Sequence, residues 1–135
     1  FAMPSTGGYF RWPSLHGDTL LFVCEDDLYA VSLSGGVPRR ITDAPGPVRR
    51  PIISPDGTTV AFTVVEEECQ EIYACSVRGG PLSQITFQGA EFARAAAWAP
   101  DGSALFFIYP GSGRGTNKTI TNCLVLLLFC WAHIQ

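Results

Sequence analysis

Few side chains in this sequence are of types that do chemistry. Two arginine pairs, Arg39-Arg40 and Arg49-Arg50, flank a Pro/Gly loop, Ala44-Pro45-Gly46-Pro47. A guanidinium is a planar fork of donors that meets a carboxylate in two parallel hydrogen bonds, so such pairs suit the C-terminal carboxylate of a peptide. The same arginines also serve as solvated side chains on a strand edge, and both readings stay open. Acidic groups cluster at Glu25-Asp26-Asp27 and at Glu66-Glu67-Glu68. Paired carboxylates can do acid–base work or hold Ca²⁺, but neither cluster carries the glycine-bearing ligand loop that Ca²⁺ takes. They read as solvated loops between strands. Asp56 and Asp101 each sit in Pro-Asp-Gly, where an aspartate bonds backbone two residues on in an Asx turn. His16 precedes Gly17-Asp18 and reads as a turn residue. The sequence contains no H-E-x-x-H and no G-x-S-x-G, so no catalytic residue, metal ligand or cofactor contact is expected.

The remaining candidates fall to simpler readings. A phosphate loop G-x-x-x-x-G-K-[ST] ending at Lys118-Thr119 needs glycine where Ser112 and Asn117 stand, so residues 111–119 read as a flexible linker. Asn117-Lys118-Thr119 is a glycosylation sequon, which acts only in a secreted protein. The cysteines at 24, 69, 75, 123 and 130 are odd in number and form no C-x-x-C. They read as small hydrophobes in a reducing compartment, and a cytoplasmic location is expected.

These residues must be held by something, and composition limits what it is. The chain has 135 residues, the length of about one domain. Its net charge is −3 and Lys118 is its only lysine, so nucleic acid is not an expected partner. With 47% hydrophobic and 16% charged residues, the chain is not of the disordered class. Fourteen Gly and ten Pro suit a turn-rich β protein and interrupt any helical pattern before residue 110.

The sequence repeats. Asp27-Leu28-Tyr29-Ala30-Val31-Ser32 returns as Glu71-Ile72-Tyr73-Ala74-Cys75-Ser76, Gly35-Gly36 as Gly79-Gly80, and Ile41-Thr42 as Ile85-Thr86, each 44 residues on. Pro55-Asp56-Gly57 returns as Pro100-Asp101-Gly102, 45 residues on, and Gly17-Asp18 holds the matching place in the first unit. A period of about 40–45 is that of a four-stranded propeller blade. Turn signals and β-branched runs place strands at 20–24, 28–33 and 39–42 in the first unit. The middle unit has strands at 50–54, 59–65, 71–77 and 82–87, with a polar loop at 66–70. The third has 95–98 and 105–109. Tyr73, Gly79, Gly80, Asp56, Gly57, Asp101 and Gly102 define the repeat. Trp12, Tyr29, Phe62, Tyr73, Trp98 and Phe107 are expected to pack between blades.

The ordered set of motifs resembles the TolB-like, WD40-like β-propeller repeat. That repeat carries S-P-D-G after its first strand, D-[IL]-[YW] in its third, a G-G turn and a closing [IL]-T. The opening is similar to one branch of that class, the N-terminus of tricorn-type proteases. The carrying residues are Arg11-Trp12-Pro13-Ser14-Leu15-His16-Gly17-Asp18, Phe22-Val23-Cys24-Glu25-Asp26-Asp27-Leu28-Tyr29 and Gly35-Gly36-Val37-Pro38-Arg39-Arg40-Ile41-Thr42. Thr86-Phe87-Gln88-Gly89-Ala90 before Trp98-Ala99-Pro100-Asp101-Gly102 fits the same branch. The resemblance covers residues 8–109. It implies a propeller that guides peptides within a large serine peptidase, a homo-oligomer whose catalytic domain lies far downstream, so this chain alone is not expected to hydrolyse anything. An alternative within the same class is a non-catalytic, TolB-like module that binds protein partners.

The expected fold is therefore all-β: four-stranded blades at about 9–43, 48–87 and 93–110, some two and a half in number. Residues 111–135 read as a linker and an apolar tail unrelated to the repeat. The abrupt change of composition after Pro110 is that of a truncated or out-of-frame ending. The ten-residue apolar run at 123–132 is half of a membrane span, and no span is expected. An open set of blades leaves sheet faces and strand edges uncovered, so low solubility or aggregation of the isolated chain is expected.

Overall fold

Strand Thr59–Glu66 shows how the layers must stack. Val60, Phe62 and Val64 point to one side and Ala61 and Thr63 to the other, and all five are buried. A strand buried on both faces needs a layer on each side. The computed structural model supplies them as three antiparallel sheets in chain order; it describes residues 9–89 and 91–108, and the backbone of 125–128.

Sheet 1 holds β1 (Phe10–His16), β2 (Thr19–Cys24), β3 (Asp27–Ser32) and β4 (Arg39–Arg40). Sheet 2 holds β5 (Val48–Ile53), β6 (Thr59–Glu66), β7 (Cys69–Ser76) and β8 (Ser83–Gln84). Sheet 3 holds β9 (Arg94–Trp98), β10 (Ala104–Ile108) and β11 (Val125–Leu128). In sheets 1 and 2 each strand pairs with the next in sequence, the up-and-down order of a propeller blade. The first strands β1, β5 and β9 lie side by side, so the three sheets fan out from them.

Two cores join the sheets. Between sheets 1 and 2, Leu21, Val23, Leu28, Ala30 and Ile41 meet Val60, Phe62, Val64, Tyr73 and Cys75. Between sheets 2 and 3, Ala61 and Ile72 meet Ala93, Ala95, Leu105 and Phe107. Burial pushes the Cys75 thiol up to about 11.

Several elements differ from the sequence expectation. Phe10–His16 is a strand that the repeat pattern did not mark, because Pro13 and a bulge break its alternation. The polar loop expected at 66–70 contracts to a two-residue turn at Glu67-Glu68, with Glu66 paired to Cys69; Glu25-Asp26 does the same in sheet 1. Glu25 and Glu67 take positive φ, 55° and 52°, the sign that type II′ turns require at their first central residue. Tyr29 does not pack between the described sheets: it stacks on Phe22, 5.9 Å between centroids, on the face of sheet 1 away from sheet 2. Residues 125–128 carry no repeat signature, yet their backbone pairs with β10, Phe106 opposite Leu126, in the place of a third blade strand. The linker at 111–119, the sequon, Cys123, Cys130 and His133 lie outside the described residues.

The repeat has a hydrogen-bonding reason. Thr42 Oγ1 donates to Asp27 Oδ1 at 2.9 Å and accepts from the Leu28 amide at 2.9 Å. Thr86 Oγ1 donates to Glu71 and accepts from the Ile72 amide at 2.8 Å. Both threonines are buried. The chain has left β4 or β8 at that point, so one hydroxyl closes the ladder that the backbone no longer continues, and satisfies a buried N–H.

Candidate functional site

The first strands carry the arginines, and each is broken by a bulge. In β1 the register slips between Arg11 and Ser14, in β5 between Arg49 and Ile52. The slips contain Trp12-Pro13 and Arg50-Pro51. Proline has no amide to give the ladder and is tolerated on these edge strands. The residue before each proline takes positive φ: Trp12 at 50° and Arg50 at 50°. Non-glycine residues in that region are strained, and a bulge re-aims the side chain it carries. Trp12 and Arg50 both line one cleft of about 150 Å³, together with Arg49, Gln70, Phe92 and Arg94.

The cleft's far wall is the segment leading into β9. Gln70 Nε2 donates to the Glu91 carbonyl at 3.1 Å, and Thr63 Oγ1 to the Ala93 carbonyl at 3.2 Å. Those bonds bring Phe92 and Arg94 opposite β5. Among the described residues the ion pairs all belong to Arg40, so Arg49, Arg50 and Arg94 line the cleft without an ion pair. Arg11 is spent locally: it donates to the Glu25 carbonyl at 2.8 Å and lies 4.7 Å from the Trp12 ring centre. The result is a cationic hollow with aromatic flanks, which suits a small anionic group next to an apolar one.

The other arginine pair is elsewhere and occupied. Arg39 and Arg40 form β4, at the opposite edge of sheet 1 from β1. Arg39 Nη1 donates to the Arg78 carbonyl, tying sheet 1 to the turn after β7, where Gly79 lies at φ 89° and a Cβ would stand 3.5 Å from the Ile41 carbonyl oxygen. Gly80 continues that turn at φ 120°. Arg40 pairs with Asp27 at 2.6 Å and Asp43 at 3.0 Å. The two pairs named from the sequence are thus not brought together. Arg94, Trp12 and Phe92 join the cleft unannounced; the only sequence signal was the X-Pro dipeptide recurring in the first strand of two units.

A second hollow, of about 280 Å³, lies at the Pro-Asp-Gly end between sheets 2 and 3, lined by Ser54, Asp56, Thr58, Ser76 and Trp98. Its acid is internally committed. Asp56 Oδ1 accepts from Ser54 Oγ at 2.6 Å, the Thr58 amide at 3.0 Å and Thr58 Oγ1 at 2.8 Å. The Ser54 hydroxyl first, then Thr58, hold its carboxyl below the ordinary value. Asp101 is lowered likewise by the Ser103 hydroxyl and amide. His16 Nε2 lies 2.8 Å from the Pro55 carbonyl and therefore donates to it. Its ring sits on Gly57, where a Cβ would come within 2.5 Å of Nδ1. His16 thus joins the end of β1 to the turn of sheet 2. Among the described residues, no three His, Cys, Asp or Glu are grouped so as to hold a metal.

Known proteins bear on this arrangement. Residues 7–123 match the family described as the tricorn protease N-terminal beta propeller domain. Tricorn protease homolog 1 of Streptomyces coelicolor is 36% identical over 102 residues, which cover 76% of this chain and 10% of that protein. The crystal structure of the tricorn protease superposes with a TM-score of 0.69 at 27% identity, covering 75% of this chain and 11% of that one. The structure of putative TolB from Agrobacterium tumefaciens gives 0.67 at 26%, over 77% and 39%. The chain spans about a tenth of the length of the first curated relatives it matches.

Proposed function

Since the chain belongs to the tricorn N-terminal β-propeller family, we propose that it guides peptides toward a proteolytic centre carried by other domains, within a homo-oligomeric serine peptidase. The observation that carries this reading is the group of three arginines, Arg49, Arg50 and Arg94, that line one aromatic-flanked cleft at the first strands. Those strands border the axis of a propeller, where a passing chain meets them. A peptide terminus supplies a carboxylate for the fork and a side chain for Trp12 and Phe92. The unpaired Cys24, Cys69 and Cys75 suit a reducing, cytoplasmic setting.

The test is titration calorimetry of the chain with matched peptides ending in a free carboxylate or an amide. The acid should bind roughly tenfold more tightly, one charge-assisted hydrogen bond's worth. Arg50→Ala should abolish that preference and Arg40→Ala should leave it. Equal binding of acid and amide would sink the reading.

A further inference from the structure

The connection that brings Phe92 and Arg94 to the cleft runs from β8 to β9 outside any ladder, and side chains of sheet 2 hold it. Thr63 donates to the Ala93 carbonyl, Gln70 to the Glu91 carbonyl, and Glu71 Oε1 accepts from the Gly89 amide at 2.6 Å. Ala93 is buried between sheets 2 and 3. Successive side chains of an extended chain point to opposite sides, so the burial of Ala93 turns its neighbours Phe92 and Arg94 to the cleft they line.

Glu71 differs from its counterpart in sheet 1. There Asp27 takes the Thr42 hydroxyl on one oxygen and pairs with Arg40 at 2.6 Å through the other. Three matching positions change in sheet 2. Arg40 gives way to Gln84, opposite the tyrosine in both sheets, and Gln84 donates instead to the Thr86 carbonyl at 2.9 Å. Asp27 gives way to Glu71, one methylene longer. Pro45, which has no amide to donate, gives way to Gly89 at φ 58°. The Glu71 carboxylate is buried and, among the described residues, makes no ion pair; one oxygen accepts from Thr86 and the other from Gly89. The bond to Thr86 closes the ladder, as in sheet 1. The bond to Gly89 has no counterpart there, and it pins the start of the cleft wall. A buried carboxylate without a cation is held by its hydrogen bonds alone, so parting Gly89 from it leaves charge buried and half satisfied.

We infer that Glu71 is a positioning residue of the cleft: through the Gly89 amide it sets the wall that carries Phe92 and Arg94, and with it the fit of a peptide carboxylate to the arginines. The fit of the carboxylate rests on the peptide-binding reading above; the placement of the wall does not. Glu71→Asp isolates the tether, because an aspartate at this place in sheet 1 still takes the closing threonine but is a methylene shorter. Glu71→Gln keeps the length and an oxygen for the Gly89 amide.

The experiment is hydrogen–deuterium exchange of the full 135-residue chain, read by mass spectrometry over residues 87–94, beside the titration with acid and amide peptides. Glu71→Asp should keep the parent's far-UV circular dichroism and speed exchange over this segment about tenfold. It should also cut the preference for the free acid from roughly tenfold to about twofold. Glu71→Gln should stay near the parent in both readouts. Asp27→Asn, the matching carboxylate of sheet 1, should lower the thermal midpoint and leave both readouts unchanged, as a carboxylate with a structural role alone would. Unchanged exchange in Glu71→Asp overturns the inference. So does faster exchange with the acid preference intact, or a Glu71→Asp chain that loses its β signal, which would mean that the carboxylate carries the fold. A parent that binds acid and amide alike sinks the peptide reading alone, and the exchange then decides whether Glu71 places the wall.

Discussion

Phe22 and Tyr29 in sheet 1, and Phe62 and Tyr73 in sheet 2, are the same two residue types at the same register of the same strands. One pair lies at the surface and the other is in the core, with Phe62 fully buried and Tyr73 8% exposed. The main difference is a neighbouring sheet, which converts an aromatic patch into a packed core. A local one adds to it: the longer β6–β7 hairpin carries Glu66, which accepts from the Tyr73 hydroxyl at 2.5 Å. In a repeat fold, then, the burial of a residue is a property of the array and not of the unit.

The sharpest way to break this comparison is to truncate both phenylalanines. Phe62→Ala should cost about 3–5 kcal/mol, transfer plus cavity. Phe22→Ala should cost about 1 kcal/mol, since its ring keeps part of its water contact. Urea unfolding of both variants measures the gap, and equal losses would mean that Phe22 is covered too.

The turn glycines give a second, smaller contrast. Gly17 and Gly57 hold matching places, at φ 56° and 74°, but a Cβ at Gly17 meets nothing within 4 Å while one at Gly57 meets the His16 ring. Gly17→Ala should cost the backbone strain alone, about 1 kcal/mol. Gly57→Ala should cost about 1 kcal/mol more, because His16 must leave and its bond to the Pro55 carbonyl goes with it. Thermal unfolding separates the two.

A third contrast is read in pH. Burial first, then the hydrogen bond and charge of Glu66, push Tyr73 up from its ordinary 10 to about 12. A phenol raised on folding keeps its proton longer in the native chain than in the unfolded one. Its contribution is whole below pH 10 and is lost as pH rises toward 12, with a slope of at most about 1.4 kcal/mol per pH step. Tyr73→Phe should flatten that segment of the stability curve, and an unchanged curve would show that sheet 1 does not shield this phenol.

The architecture was legible because the repeat writes local chemistry twice. Pro55-Asp56-Gly57 and Pro100-Asp101-Gly102 make their own turns, through hydrogen bonds that span two residues. The Asp27–Thr42 and Glu71–Thr86 bonds explain a spacing that the sequence shows only as a recurrence. The cleft was half legible. Arg49 and Arg50 could be named from their type, but Arg39 and Arg40 looked equivalent until β4 placed them on the far edge, one stapled to the Arg78 carbonyl and the other to Asp27. Phe92 and Arg94 arrive from 40 residues away through Gln70 and Thr63, side chains with no motif about them.

By itself the sequence determined the strand count of a unit, its turns and the polarity of its loops, because those depend on contacts within a few residues or one hairpin. Only the tertiary structure decided which of two identical aromatic pairs is core, which arginines remain unpaired and where two bulges aim Trp12 and Arg50. Those outcomes depend on which faces and edges come together, and that is set by the stacking of whole sheets, which no single unit encodes.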